Sequence, residues 1–271
     1  MSPPFVNKYT PPPPDALPDV DALLSSTEPY DINFALPLHL DTLSCPTVRL
    51  TPFVPALHAK EFWDNVESRA DELFKYYPFL PGSLPEYLRI IESYRQNPEW
   101  LPFAVYDRTK NGPGGDGALA GMVMLINTAA AHLRTEIGFM IIFPEFHHTH
   151  VARTAVALLL RYCLQTPTAS PPGLGFRRVH WSVHPSNKPS IGLAKKTGFK
   201  EEGVLRWMFV LPDVETLQKA GWEVKRKGQE VEGYGRHSLW LSHCWDDWEN
   251  GGRELCESII EGLVKPTRAA A

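Results

Sequence analysis

The stretch that decides the fold is SVHPSNKPSIGLAKKTGF, residues 182–199. It overlaps an alternating segment at residues 178–184, in which apolar and polar side chains take turns as they do in a strand with two different faces. A Pro-Ser-Asn turn then leads into a short basic segment that ends on Gly-Phe. Asparagine is a favoured helix N-cap, proline is tolerated in the first turn, and glycine often ends a helix. The stretch therefore predicts a strand, a tight connection and a helix over residues 188–197.

The segment before this stretch shows the same order of a strand, a turn and a helix. Residues 134–143 predict a strand that runs into a proline turn, and residues 151–164 predict a strongly apolar helix. A His-His-Thr-His run separates the two. Because a helix N-terminus leaves main-chain N–H groups unpaired and carries positive partial charge, both strand-to-helix connections are natural seats for a phosphate group.

The remaining pattern mixes strands and helices within one globular region. Upstream, it predicts a strand at 47–53, a helix from Pro55 to about Tyr77, a helix at 83–96, and strands at 103–107 and 119–127. Downstream, it predicts a strand at 204–211, a polar insertion at 212–236, a strand at 238–242 and a helix near 252–264. This order combines an antiparallel meander with strand–helix crossovers, so the expected fold class is α/β, an α+β mixed sheet.

Three regions are expected along the chain. Residues 1–45 are rich in proline and lack helical periodicity, which predicts an arm that is partly polyproline II and lies over the domain surface. Residues 46–250 form the domain, and residues 251–271 form a C-terminal helix and tail.

Composition narrows the function classes. The 271 residues carry 27 Lys and Arg against 31 Asp and Glu, a net charge of −4 without a dense basic cluster, which argues against a nucleic-acid partner. The four cysteines are far apart and two lie in predicted apolar helices, so neither a disulfide framework nor a zinc site is expected. No apolar stretch is long enough to span a bilayer, and the N-terminus lacks a signal-peptide core. The expectation is a cytoplasmic protein without a membrane partner.

The opening stretch resembles a signature of the GNAT superfamily of acetyl-CoA-dependent N-acetyltransferases, and of its RimJ/RimL-like branch in particular. The shared residues are Asn187, Ser190, Gly198-Phe199, Glu202-Gly203 and Arg206. With the order of elements, the resemblance extends over residues 47–241. It implies a splayed, mostly antiparallel sheet flanked by helices, with a V-shaped opening between the strands at 134–143 and 178–184.

The resemblance also implies how acetyl-CoA binds as co-substrate. The pantetheine arm pairs with main-chain groups of Phe139, Met140 and Ile141, whose amides polarise the thioester, and Asn187 either bonds the same arm or caps its helix. The pyrophosphate lies on amides at the start of the helix at 151–164. The residues of this loop and first turn are His147, His148, Thr149, His150, Val151, Ala152 and Arg153.

This loop departs from the family pattern, because His150 stands where relatives carry glycine and His148 stands where glycine is frequent. Glycine permits close approach and unusual backbone angles, so each histidine must tolerate or change the loop conformation. Partly protonated imidazoles would also suit a phosphate. A histidine metal site is the alternative, but ligands one to three residues apart without a nearby cysteine or aspartate do not favour it.

Two residues are candidates for catalysis. Acyl transfer to an amine needs a base for the amine proton, and Glu136 matches a position where relatives often carry a catalytic glutamate. The alternative is a strand-end carboxylate paired with Arg134 or another cation. The Ser190 hydroxyl is the candidate acid, or it merely stabilises its helix N-terminus. Many relatives carry a tyrosine that acts as the general acid at the position of Ala194, and this chain lacks that tyrosine.

The acceptor is expected to be a primary amine, either a small molecule or a protein N-terminus, attacking directly in a ternary complex. His180 and His184 either line the acceptor site or pack within the fold. The altered loop and the missing tyrosine leave open a non-catalytic acyl-CoA-binding protein, and the proline-rich arm leaves open a partner-binding protein. A homodimer also remains open. Aromatic residues that could wall an acceptor pocket are Phe62, Trp63, Tyr76, Tyr77, Trp222 and Tyr234.

Overall fold

In the computed structural model, one seven-stranded mixed sheet organises the chain, and the structure describes residues 8, 10, 18–112, 115–211, 228 and 233–264. The strand order is β1-β2-β3-β4-β5-β7-β6, and every neighbouring pair is antiparallel except β4 and β5. The α/β class and the mostly antiparallel sheet predicted from the sequence are confirmed. The strands are β1 (Val48–Pro52), β2 (Leu101–Asp107), β3 (Ala118–Ala129), β4 (Arg134–Ile142), β5 (Arg178–Val183), β6 (Lys200–Leu211) and β7 (Tyr234–Cys244).

Helices cover both faces of this sheet. They are α1 (Val20–Ser25), α2 (Pro55–Val66), α3 (Ala70–Leu73), α4 (Leu84–Arg95), α5 (Val151–Leu164), α6 (Lys188–Lys196), α7 (Trp245–Asp247) and α8 (Arg253–Ile260). Pro55 begins α2, and the Ser83 hydroxyl caps α4 by accepting the Glu86 N–H. Among the described residues, no helix is both long and apolar enough to span a bilayer.

The single helix predicted from Pro55 to Tyr77 is wrong. The helix ends at Val66, and a 3₁₀ turn at Glu67–Arg69 and the short α3 follow it. Arg69, with φ −130° and ψ 17°, lies outside the helical range. The break redirects the chain, so that Tyr76 and Tyr77 reach the sheet face.

Two apolar cores lie on opposite faces of the sheet. On one face, α5, α6 and α8 pack on the sheet, and Leu158, Leu159 and Val179 are fully buried. On the other face, α2 and α4 contribute an aromatic core in which the Phe62 and Tyr87 rings stack at 5.0 Å. Because helices cover both faces, β2 and β3 are apolar over nearly their whole length.

The stretch 18–45 contains α1, a helix that the sequence pattern does not predict. The Asp19 side chain caps this helix by accepting the Ala22 N–H. Leu43 at the end of this stretch is fully buried, and the Pro37 carbonyl accepts a 2.7 Å bond from the Tyr162 hydroxyl. This part of the chain is therefore attached to α5.

The insertion predicted at 212–236 lies mostly outside the described residues, and so does Trp222. Its last three residues, Tyr234 to Arg236, already belong to β7, which extends well beyond the predicted 238–242. Strand β6 begins at Lys200 rather than at 204, and the C-terminal helix spans Arg253–Ile260 rather than 252–264.

Candidate active site

The centre of the site is the point where β4 and β5 separate. The two strands run parallel and pair only from Arg134 with Arg178 to Glu136 with His180. Beyond that pair, β4 continues to Ile142 and keeps β3 as its neighbour, while β5 pairs with β7. A wedge therefore opens between the two strands immediately after Glu136.

A bulge in β4 shapes one wall of the wedge. The β3–β4 register shifts between Met122 and Met124, and opposite this shift Phe139 adopts the left-handed φ of +47°. The Tyr77 hydroxyl donates to the Met140 carbonyl at 2.6 Å. On the β3 side, the Ile141 carbonyl approaches Gly121 so closely that a Cβ there would lie 2.0 Å from it. The predicted pantetheine contacts, Phe139, Met140 and Ile141, thus form the bulged part of β4.

Glu136 is the last paired residue before the wedge and is only 7 % exposed. One of its carboxylate oxygens, Oε2, accepts from Asn127 Nδ2 at 3.0 Å and lies 3.1 Å from His180 Nε2. The partner considered from the sequence was Arg134, but the described residues place His180 and Asn127 against the carboxylate instead. Sequence reasoning missed Asn127, whose left-handed φ of +51° is a conformation that asparagine tolerates.

His180 connects this carboxylate to β7. Its ring is 1 % exposed and stacks on Trp240 at 5.0 Å, and its Nδ1 atom is buried without a hydrogen-bond partner. If Nε2 donates to Glu136, Nδ1 remains an acceptor. His184, on the same strand side, accepts the Ser186 N–H at Nδ1 and stacks on Tyr76 at 5.3 Å. Burial lowers the pKa of His184 to about 4, so this ring packs as a neutral group.

The His-rich loop, residues 147–150, leads directly into α5. His147 Nε2 lies 2.7 Å from the Ile142 carbonyl, and His148 adopts the left-handed φ of +60° that glycine takes more readily. His150 has a helical φ of −71° and therefore needs no glycine. Its Nε2 lies 3.5 Å from Asp107 Oδ1, without hydrogen-bond geometry.

The first turn of α5 presents its amides at the end of the loop. The Val151 N–H bonds the Thr149 hydroxyl, and the Thr154 N–H makes a helical bond to the His150 carbonyl. Ala152 and Arg153 lie between these two, in the turn whose amides precede the helical ladder. Within the described ranges, the one group of side chains close enough to share a metal ion lies elsewhere, at Cys244, Asp246 and Asp247.

Asn187 and Ser190 form the start of α6, directly after β5. The Asn187 side chain accepts the Ser190 N–H at 3.3 Å, which makes Asn187 the helix cap. The Ser190 hydroxyl accepts from the Trp181 indole at 3.0 Å, so its own proton remains able to donate elsewhere. Ala194 is fully buried on the next turn. Asn187 and Ser190 therefore both stabilise the local fold, and the Ser190 hydroxyl can still donate a hydrogen bond to a ligand.

Known proteins resemble this chain in sequence and in fold. A family model described as an acetyltransferase (GNAT) domain matches residues 47–200, more than half of the chain. A comparison with curated proteins finds no significant match.

Three solved structures illustrate the likeness of fold. A GCN5-related N-acetyltransferase from Brucella melitensis superposes with a TM-score of 0.61 at 23 % identity, covering 80 % of this chain and 84 % of that one. Mycobacterium smegmatis RimJ, in complex with CoA-disulfide, gives 0.56 at 20 % identity over 79 % and 89 %. Spermidine N-acetyltransferase from Vibrio cholerae, in complex with CoA and spermine, gives 0.52 at 19 % identity over 75 % and 99 %. With the family match over residues 47–200, this chain belongs to the GNAT family of acetyltransferases.

Proposed function

We propose that this protein is an acetyl-CoA-dependent N-acetyltransferase of the RimJ/RimL-like branch that acts on a primary amine. The observation that carries the proposal is the buried Glu136 carboxylate, held by Asn127 and His180 at the mouth of the wedge. Family membership supports the reaction class. Two structural neighbours were solved in complex with CoA or CoA-disulfide, which supports acetyl-CoA as the co-substrate proposed for this protein.

The residues at the wedge fit acetyl-CoA. The bulged segment 139–141 offers main-chain groups beside the opening, and the first turn of α5 offers amides for the pyrophosphate. Asn187 and Ser190 lie at the start of α6, which follows β5 directly. Acetyl-CoA supplies an acetyl group on a thioester, which the main-chain amides near residues 139–141 polarise.

Glu136 is proposed as the base. A protonated amine cannot attack, so a carboxylate near the wedge accepts the proton directly or through a water molecule. The amine nitrogen then forms a bond to the acetyl carbon, the carbon–sulfur bond breaks, and CoA departs as a thiolate. Asn127 and His180 hold the carboxylate in one orientation.

Ser190 is proposed as the donor that returns a proton to the thiolate. A thiol pKa near 8.5 makes the thiolate a fair leaving group, so we expect this donor to contribute little. The acceptor is a small amine or a protein N-terminus.

The decisive experiment compares Glu136→Gln with Glu145→Gln, an exposed glutamate paired with Arg69. Thiol release from acetyl-CoA is measured across a panel of amines. We expect Glu136→Gln to lower kcat about 10²–10⁴-fold, the usual contribution of a general base, with the Tm and the Kd for acetyl-CoA unchanged. Glu145→Gln should keep wild-type turnover.

Two other outcomes would contradict the proposal. Near-normal turnover by Glu136→Gln would remove this residue as the base. Tight binding of acetyl-CoA without thiol release for any amine would instead identify a non-catalytic acyl-CoA-binding protein, the function that the altered loop and Ala194 leave open.

A further inference from the structure

Several buried polar atoms share one face of the sheet with Glu136. Glu136 pairs with His180, His180 pairs with Ser242, and strand alternation then brings every second residue of β7 to the same face. In the described part of the chain, four side-chain atoms on this face are buried without a hydrogen-bond partner. They are His180 Nδ1, Trp240 Nε1, Ser238 Oγ and Arg236 Nε.

Such a set of atoms is unusual, because buried polar groups in folded proteins nearly always find partners. Ser238 is fully buried and Arg236 is 6 % exposed. Three of the four atoms can donate a hydrogen bond, namely the indole N–H, the hydroxyl and the guanidinium. Together they point to an acceptor group supplied by a ligand.

Arg236 carries a charge that no ion pair among the described residues neutralises, although the Glu136 carboxylate lies within electrostatic reach. Burial lowers the pKa of the Arg236 guanidinium to about 10, which leaves it charged at neutral pH. Among the described residues, no carboxylate forms an ion pair with it, and its guanidinium carbon lies 5.1 Å from the centre of the Phe209 ring. Leaving a buried charge without a partner is strongly destabilising, and a bound anion would offset that cost.

Arg161 shows what a buried arginine does elsewhere in this fold. It is 7 % exposed, it lies 3.2 Å from Glu257, and it donates to the Thr42 carbonyl at 2.9 Å. The Nε atom is buried without a hydrogen-bond partner in both arginines, but Arg236 has no comparable ion pair or carbonyl bond in the described ranges. The difference indicates that Arg236 is placed to bind a ligand and does not hold the fold together as Arg161 does.

The groups around Arg236 limit the charge of that ligand. Glu136 and the Tyr77 hydroxyl lie within electrostatic reach of Arg236, and His184 is neutral because its pKa is about 4. One guanidinium matches one negative charge, and the Glu136 carboxylate would repel a second. A carboxylate accepts two parallel N–H bonds from a guanidinium, so its shape matches as well as its charge.

We propose that the acceptor is an amine that carries a carboxylate, as an amino acid does, and that Arg236 binds this carboxylate while Glu136 receives the amine proton. Ser238 and Trp240 supply the neighbouring donors. This inference rests on the proposed function and names its acceptor class. It disfavours a polyamine, which would bring only positive charge to Arg236.

The test uses pairs of amines that differ by one carboxylate: tyrosine with tyramine, and serine with ethanolamine. Phosphoethanolamine is added as a phosphate-bearing amine. Thiol release from acetyl-CoA gives kcat and KM for the wild-type protein and for Arg236→Met, Arg236→Lys and Arg89→Met. Arg89 is an exposed residue of α4 and serves as the matched control.

We expect kcat/KM to be at least about tenfold higher for the carboxylate member of a pair, mainly through KM, as for one charge-assisted contact. Arg236→Met should abolish the preference, so that both members of a pair give the same kcat/KM. Arg236→Lys should keep part of the preference, because lysine keeps the positive charge but lacks the parallel N–H donors of the guanidinium. Arg89→Met should behave as wild type.

Equal kcat/KM for both members of each pair would overturn the acceptor class and leave the proposed function standing, and a preference for phosphoethanolamine would do the same. If no amine is acetylated, the proposed function fails, and the carboxylate site is then tested by binding alone. In that case N-acetyltyrosine must bind the protein with CoA more tightly than N-acetyltyramine does, and only while Arg236 is intact. Equal binding of the two overturns the inference.

Discussion

His58, the fourth residue of α2, makes the stability of the fold depend on pH. Its Nδ1 accepts the Val54 N–H at 2.7 Å, so a neutral ring satisfies an amide at the helix start. Burial, with a smaller contribution from the charge of Arg49, lowers its pKa from 6.5 to about 4. The unfolded chain binds the proton first, so stability is full above pH 6.5 and falls as the pH drops toward 4. We expect His58 to account for up to about 3 kcal/mol of that loss.

Urea unfolding at pH 7.0 and pH 4.5 measures this effect. His58→Gln removes the titrating group, so the difference in unfolding free energy between the two pH values should shrink. His132→Gln, at an exposed position, should leave the difference unchanged. The idea fails if His58→Gln and the wild type lose the same stability on acidification.

At the same scale, the sequence allows some site residues to be anticipated and not others. Glu136 and Asn187 stand at recognisable positions in local patterns, and Asn187 does cap its helix. Asn127 of β3 and Arg236 of β7 come to the Glu136 region from two other strands. Their proximity depends on strand register, which a linear pattern does not specify.

The N-terminus of α5 is the proposed binding site for the pyrophosphate of acetyl-CoA. Its bounds agree with the prediction of 151–164, because a continuous apolar face specifies a long helix locally. We expect Ala152→Glu to raise the Kd for acetyl-CoA about tenfold or more, since the new charge would lie beside the pyrophosphate. An acidic residue in a first helical turn does not weaken the helix itself. Calorimetric titration with acetyl-CoA measures the change.

Leu57→Glu is the matched control, because Leu57 is an exposed residue in the first turn of α2. It should leave the Kd unchanged. Equal values of Kd for Ala152→Glu and the wild type would exclude the start of α5 as the phosphate seat.

The first and last residues of other elements could not be predicted from the local sequence. The periodicity of 55–77 is helical throughout, yet the chain breaks after Val66, where packing of the aromatic residues against the sheet overrides propensity. The first residues of β6, Lys200 to Gly203, are charged or small and do not resemble a strand. They become one because β7 supplies their pairing partners.

At the scale of the whole molecule, Arg161 joins three distant parts of the chain. From α5 it donates to the Thr42 carbonyl and pairs with Glu257 of α8. We expect Arg161→Met to lower the free energy of unfolding by roughly 2–4 kcal/mol, because it leaves a buried carbonyl without its donor and Glu257 without its cation. Arg69→Met, which breaks the more exposed pair with Glu145, should cost under about 1 kcal/mol. Urea unfolding at pH 7.0 measures both. A loss for Arg161→Met no larger than that for Arg69→Met would show that the N-terminal stretch and α8 are held by apolar packing alone.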